Sequence, residues 1–380
     1  VPKPTDPQTE PLITLNRFAG IKNVVGEGRL APEEFSSARN VDLDDVGQVR
    51  RRRGSTKVIS GDWHSLYGSE TAKLYGVRNK MLVAVKPNLT LTTIYAGVGA
   101  HPALGSQLEY VQVGSTIYFS SPFESGKFDE DTLVVSPWGS PTDVWQSPVL
   151  NPTADLPAIR GRLLGAPPRA TSMTYWRGRI YLAQGKTVWA TELYAYDLVD
   201  KTRGFYQFEA DVTMLGAVSD GIYVGTATGL WFLSGTHAEG LKGNAVMDSA
   251  VIPGSRVYMP AELANPPQVD LGADTPLSIA ILFMTANGYC AGQNSGQAFN
   301  LTESKVLFPD AVRAHALYRK QDGAHHYVAV LDSGGTPSAN SRTSPYLDAE
   351  LVRAGTWVDS NDQTAAFGDR VDITLIPAGH

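Results

Sequence analysis

A β-hairpin pattern recurs six times along the chain and limits what it can fold into. Each copy has a few alternating residues, then a turn holding Gly, Asn or Asp, then a strand built on Ile-Tyr, Tyr-Val or an equivalent. The clearest copies are Leu108–Ser120, Ser172–Gln184 and Thr213–Gly225; Lys73–Val85, Ser278–Ala291 and His315–Val330 are looser. One matched position near the start of each closing strand is Leu82, Tyr118, Tyr181, Tyr223, Tyr289 and Tyr327, with steps of 36, 63, 42, 66 and 38 residues. Three steps lie near the ~40–45 residues of a four-stranded propeller blade, and the two long ones leave room for an insertion. The pattern predicts an all-β protein, a β-propeller of six or seven blades with an N-terminal arm and long loop insertions.

The composition agrees with this reading. Of 380 residues, 42% are hydrophobic and 18% charged, which is ordinary for a folded chain. The 37 glycines and 24 prolines suit many tight turns, and 16 tyrosines suit pleated strands. One cysteine, Cys290, excludes an internal disulfide framework and any multi-cysteine zinc site. It lies in a strand pattern, as a buried, inert thiol would. No apolar run reaches the ~18–20 residues of a membrane span. The first residues, VPKPTDPQTE, lack the apolar core of a signal peptide, which predicts synthesis and folding in the cytoplasm. The net charge of −6 disfavours nucleic-acid binding as the primary activity.

Residues 1–30 read as an N-terminal arm. The run PLITLNRFAGIKNVV within it alternates like a strand and is broken at Gly20. Pro32–Ala38 has a helix-start pattern, with proline early and two glutamates following. NVDLDDVGQVRRRRG reads as a hairpin turning near Asp45-Val46-Gly47. The propeller spans 31–345, with insertions at about 123–162 and 241–277 that match the two long steps. Residues 346–380 hold two further strand-like runs, and the last is placed to pair with the N-terminal segment and close the ring, which would protect its sheet edges.

No catalytic constellation emerges. The seven histidines include no metal-ligand spacing, and His325 and His326 are adjacent in a strand, so they face opposite sides. The run Gly225–Gly229 sits between two strands and is a hairpin turn, not a phosphate loop. Asp129-Glu130-Asp131 and Asp42/Asp44/Asp45 fall in turns, where Asp is favoured for its own hydrogen bonds. Arg353–Trp357 lacks the aspartate and spacing of a sialidase repeat. The chain is read as a non-enzyme without cofactor or metal. The candidate interface residues are Arg50, Arg51, Arg52 and Arg53, which form the one charge run, together with Phe18, Trp138 and Trp145. The arginines are either a solvated edge that discourages strand pairing or a docking surface for an acidic partner or for DNA backbone, and four are too few to argue nucleic-acid binding in an acidic chain.

Two stretches together carry a family likeness. The first is Phe18-Ala19-Gly20-Ile21-Lys22-Asn23, then Ala38-Arg39-Asn40-Val41-Asp42-Leu43-Asp44, Gly47 and Arg53-Gly54. The second runs from Arg177–Ala183 through Trp189–Leu193 and Val218–Thr226 to Leu230–Gly235. In order and spacing this resembles the β-propeller tail-accessory, or nozzle, proteins of short-tailed bacteriophages, also called packaged-DNA stabilisation proteins. The likeness covers roughly residues 11–235. It implies a structural virion protein without catalytic residues, forming a ring, hexameric in that family, against portal, adaptor and other tail proteins, with packaged DNA passing through the channel. The alternatives are a tail-tip, baseplate or receptor-binding propeller, in which Trp138 and Trp145 would stack on sugars or anchor a protein, and, third, a propeller carbohydrate-active enzyme.

Overall fold

The computed structural model describes residues 18–38, 41–43, 48–51, 58–96, 107–139, 144–146, 162–236, 240–260, 278–303, 305–306, 310–321, 324–332 and 370–375. The chain divides into two compact units. One is Ser55–Leu301, and the other joins Val1–Gly54 to Thr302–His380.

The Ser55–Leu301 unit is all-β and holds five successive antiparallel sheets, the arrangement of a β-propeller. Blade 1 comprises strands Trp63–Gly68, Leu74–Arg78, Met81–Val85 and Leu91–Tyr95. Blade 2 comprises Glu109–Val113, Thr116–Ser120, Ser125–Asp129 and Val135–Ser136. In blade 3 the first three strands are Ser172–Trp176, Arg179–Gln184 and Thr187–Glu192. Its outer edge is shared by Phe205–Gln207 and Ala195–Asp200, and the latter is extended by Arg162–Gly165 and Val144–Gln146. Blade 4 comprises Val212–Val218, Gly221–Thr226, Leu230–Ser234 and Lys242–Met247. Blade 5 comprises Val257–Tyr258, Ile281–Thr285, Gly288–Gly292 and Ala298–Asn300. In blades 1, 2, 4 and 5 neighbouring strands pair in chain order.

The Ile-Tyr wording of the repeat has a packing cause. A blade is buried on both faces, so its second strand needs apolar residues at consecutive positions rather than alternate ones. In blade 2, Ile117 and Phe119 pack into the seam with blade 1, while Tyr118 packs toward blade 3. In blade 3, Ile180 and Leu182 face blade 2, while Tyr181 and Ala183 face blade 4. Blade 4 repeats the scheme with Ile222 and Val224 toward blade 3 and Tyr223 toward blade 5. Burying one such side chain contributes about 1.5–3 kcal/mol, so the four apolar seams hold the unit together.

The same backbone bond recurs at a constant interval. Ser65 on the first strand of blade 1 accepts from the Leu108 N–H at 2.8 Å, and Ser172 of blade 3 accepts from the Leu215 N–H at 3.0 Å; both pairs are 43 residues apart. This is the interval from blade 1 to blade 2 and from blade 3 to blade 4. Tyr118, Tyr181 and Tyr223 lie on second strands, whereas Leu82 and Tyr289 lie on third strands. The short step of 36 and the long step of 66 therefore each compare a second strand with a third.

Five blades lie in this unit, fewer than the six or seven expected. The sixth hairpin belongs to the other unit, where Arg313–Gln321, Ala324–Asp332 and Arg370–Leu375 form a three-stranded antiparallel sheet. Among the described residues the last strand pairs with Ala324–Asp332 and with no N-terminal strand. The insertions are narrower than expected. Residues 125–136 complete blade 2, and 242–258 supply the last strand of blade 4 and the first of blade 5.

Pro32–Ala38 does not form a helix. Pro32 and Glu33 turn the chain, and Glu34–Phe35 pairs parallel to Gly20–Ile21. Tertiary contacts override the local helix signal: Phe35 stacks on Phe18 with centroids 4.6 Å apart, and the Glu34 carboxylate accepts from the Ala31 N–H and pairs with Lys22 at 3.0 Å. The hairpin after it is present as Val41–Leu43 paired with Val49–Arg51. Its turn lies outside the described residues, as do PLITLNR and Arg353–Trp357.

Candidate functional site

The first strands of blades 2, 3 and 4 run side by side, and the side chain that bonds to all three is Arg256 of blade 5. It stands just before the first strand of blade 5, where Ser255 Oγ donates to the Ile252 carbonyl at 2.6 Å and accepts the Met284 N–H at 3.0 Å, fixing the backbone. Arg256 Nη1 donates to the Met173 carbonyl of blade 3 at 3.0 Å and to the Leu215 carbonyl of blade 4. Nη2 donates to Glu109 Oε2 of blade 2 at 2.9 Å. The guanidinium carbon lies 5.3 Å from the Tyr258 ring centroid. A side chain bonded to three other blades at once crosses the propeller axis. The Arg256 side chain is 16% exposed and that of Glu109 23%.

Around this pin lies a ring of polar contacts. The Tyr258 hydroxyl bonds Thr174 Oγ1 at 2.9 Å, and the Ala217 N–H donates to Thr174 Oγ1 at 3.0 Å and to the Tyr258 oxygen at 3.2 Å. Thr174 and Ala217 thus repeat the 43-residue bond one step further along the first strands. Burial opposes the Arg256 charge, but Tyr258, Glu109 and Tyr67 more than offset it and raise its pKa, so the guanidinium stays ionised. Tyr67 of blade 1 is pushed up to about 12, first by burial and then by Glu70 and Glu130. Chemically the arrangement is a tie. The donors of Arg256 are aimed at fixed protein acceptors, and its one carboxylate partner is already paired.

A second buried polar group joins blades 1 and 2. Glu130 is 3% exposed. Its Oε1 accepts from Thr71 at 2.6 Å and from the Tyr75 hydroxyl at 3.4 Å, and its Oε2 accepts from Gln112 Nε2 at 3.1 Å. Lys73 Nζ donates to the Glu130 carbonyl at 3.2 Å and pairs with Asp131 at 3.0 Å. Burial pushes the Glu130 pKa up, but hydrogen bonds from Ser69 and Thr71, the Lys73 charge and the Tyr75 bond outweigh it and lower the pKa overall. Asp129 beside it is a turn aspartate, accepting from Ser115, Asp131 and Thr132.

The residues singled out from the sequence are divided between the two units. Phe18, Arg50 and Arg51 belong to one unit, and Trp138 and Trp145 to the other. Arg50 and Arg51 are exposed on the strand Val49–Arg51, opposite Asp42 and Val41. Arg52 and Arg53 lie outside the described residues. Trp138 is 4% exposed; its indole N–H donates to the Tyr196 carbonyl at 2.8 Å and its ring packs 5.0 Å from Tyr118. It is a core residue, and its face is closed to sugars. Trp145 stands opposite Leu163 in the sheet register, and its side chain is outside the described residues. Cys290 is a buried thiol, with its sulfur 3.6 Å from Thr285 Oγ1. His325 neighbours the Tyr318 hydroxyl, while His326 neighbours Arg319, so the two rings take opposite faces. Among the described residues no group of three or more His, Cys, Asp or Glu is placed to hold a metal ion, and no helix is long and apolar enough to cross a membrane. Sequence reasoning missed Arg256 because it stands in a stretch that reads as a loop. Its partner Glu109 lies 147 residues away.

No protein-family model matches the chain, and no curated protein matches it. Solved structures offer a loose likeness. The extracellular domain of BT4673 from B. thetaiotaomicron is 10% identical with a TM-score of 0.45, over 77% of this chain and 32% of that one. PorZ, a surface component of the type-IX secretion system of Porphyromonas gingivalis, is 11% identical with a TM-score of 0.39, over 72% and 32%. The N-terminal domain of Nup159 is 6% identical with a TM-score of 0.41, over 75% of each chain. The chain thus spans about a third of the length of the first two. None of these likenesses carries a function to this chain.

Proposed function

We propose that this chain is a structural protein of a bacteriophage tail, a rigid propeller that assembles with copies of itself into a ring around the genome channel and contacts portal, adaptor and other tail proteins. The observation that carries the reading is the occupied axis. The central channel is the concave polar site that a propeller offers a ligand, and here Arg256 spans it between blades 2, 3, 4 and 5. Such a propeller works through its exterior. The wording of residues 18–54 and 177–235 supports the same reading, as does the hairpin bearing Arg50 and Arg51, an exposed basic edge that suits an acidic neighbour. The pin also constrains the assembly: DNA cannot pass through the axis of a single propeller, so the conduit lies between copies. A net charge of −6 per copy then keeps a channel wall from gripping DNA.

The test is the assembly state of the full chain. Mass photometry and negative-stain microscopy of the purified protein, alone and with a tail extract, should show a closed ring with a central opening, and Arg51→Glu should weaken it. A chain that stays monomeric under both conditions would refute the ring.

A further inference from the structure

Blade 3 carries an exposed aromatic surface that borders its seam with blade 2, where Tyr196 packs. Tyr194 is 72% exposed, Leu193 50% and Tyr175 39%. The rings of Tyr175 and Tyr196 meet edge to face with centroids 6.1 Å apart, and Tyr196 meets Tyr118 at 6.0 Å. Tyr175 and Tyr194 are both near enough to Tyr196 to help burial raise its hydroxyl pKa to about 12. The three tyrosines therefore form one cluster at the strand ends of a single blade.

The backbone under Tyr194 is strained. Its φ is +55°, in the left-handed region where Gly or Asn is the ordinary choice. The conformation is held by a hydrogen bond from the Tyr194 N–H to the Gly178 carbonyl at 2.9 Å. Gly178 itself has φ +78°, and a Cβ there would lie 2.8 Å from the Tyr194 ring and 2.9 Å from Leu193. A glycine seat thus presents a bulky ring outward in a conformation that ring disfavours. The core gains little from a side chain so exposed, and strain kept at the surface points to binding. The neighbouring Lys127 and Asp197 pair at 2.5 Å, with side chains 24% and 45% exposed, and the Lys127 ammonium lies 6.0 Å from the Tyr118 ring centroid.

We propose that the Tyr175–Tyr194–Tyr196 surface of blade 3 binds a pyranose-containing glycan. A pyranose has an apolar C–H face and a rim of hydroxyls. Tyrosine matches both, with a flat ring to stack against and a hydroxyl that donates and accepts. Lys127 and Asp197 add a cation and a carboxylate at the border. A protein hot spot instead gathers around a desolvated apolar centre, whereas here only Leu193 lacks a polar atom and the border is a partly exposed ion pair. The proposal does not depend on the ring assembly.

The full chain is applied to an array of immobilised neutral and acidic pyranose oligosaccharides, and the retained glycan is then titrated against variants. Wild type should be retained on at least one glycan. Tyr194→Gly relieves the strained φ, so its Tm should equal or exceed that of wild type while affinity falls at least tenfold. Tyr175→Ala should also weaken binding, and Tyr194→Phe, which keeps the ring, should retain most of it. Wild type retained on no glycan would overturn the proposal. So would Tyr194→Gly and Tyr175→Ala binding as wild type does. Capture of a protein through these tyrosines, with no glycan bound, would overturn it as well.

Discussion

Replacing Arg256 by methionine keeps the length of the side chain and removes every bond at the axis. The Glu109 carboxylate loses its cation, and the Met173 and Leu215 carbonyls lose a donor. Breaking a buried pair by removing one partner costs about 3–5 kcal/mol, since a buried charge is left uncompensated. The Glu109 side chain is 23% exposed and water recovers part of that loss, which places the expected cost at about 2–4 kcal/mol by the same rule. For a unit of this size that lowers Tm by roughly 5–15 °C. Urea denaturation at neutral pH, followed by tryptophan fluorescence, measures it. The double variant Arg256→Met/Glu109→Leu separates a pin from simple packing. With the orphan carboxylate gone, it should be more stable than Arg256→Met alone, with a coupling of about 1–3 kcal/mol. A loss below about 1 kcal/mol for Arg256→Met, or strict additivity of the two changes, would refute the axial tie.

Three further outcomes are expected. Glu130 has a folded pKa below its ordinary 4.5, so its contribution is complete above that value and lost as pH falls through the folded pKa. Glu130→Gln should cost about 1–3 kcal/mol at pH 7, and denaturation curves should show the gap to wild type closing below pH 4. A Cβ on Gly216 would lie 2.3 Å from Ile281 Cδ1, so Gly216→Ala should destabilise by about 1–3 kcal/mol through overpacking, with Ile281→Val in the same chain restoring part of it in thermal melts. Cys290 is fully buried, so its thiol should react with a disulfide reagent only after unfolding.

Much of the fold was legible because the packing demand is local. A strand buried on both faces must be apolar at successive positions, and Ile117-Tyr118-Phe119, Ile180-Tyr181-Leu182 and Ile222-Tyr223-Val224 announce this directly. All six matched positions, from Leu82 to Tyr327, are buried. The blade frame was less legible, because second and third strands of a blade carry the same apolar wording; Leu82 and Tyr289 fell one strand out of phase. Short insertions blurred the boundaries, since Val135–Ser136 and Val257–Tyr258 are two-residue strands embedded in loop-like sequence. The Pro32–Ala38 helix signal was real but weaker than the pairing of Glu34–Phe35 with Gly20–Ile21. The axis was hidden altogether. Arg256 and Glu109 are unremarkable in sequence, and only the convergence of the first strands makes them partners. Glu130 likewise reads as one of three acidic turn residues, and its burial depends on Thr71, Tyr75 and Gln112 from neighbouring strands.

Cryo-electron microscopy of the particles produced from the genome that carries this chain tests the proposed role most directly. The expected result is a symmetric ring of five-bladed propellers on the tail axis, each closed by its own Arg256, with the DNA path running between copies. Particles that lack the chain, or that hold it off the axis, would contradict the reading of a channel-ring protein.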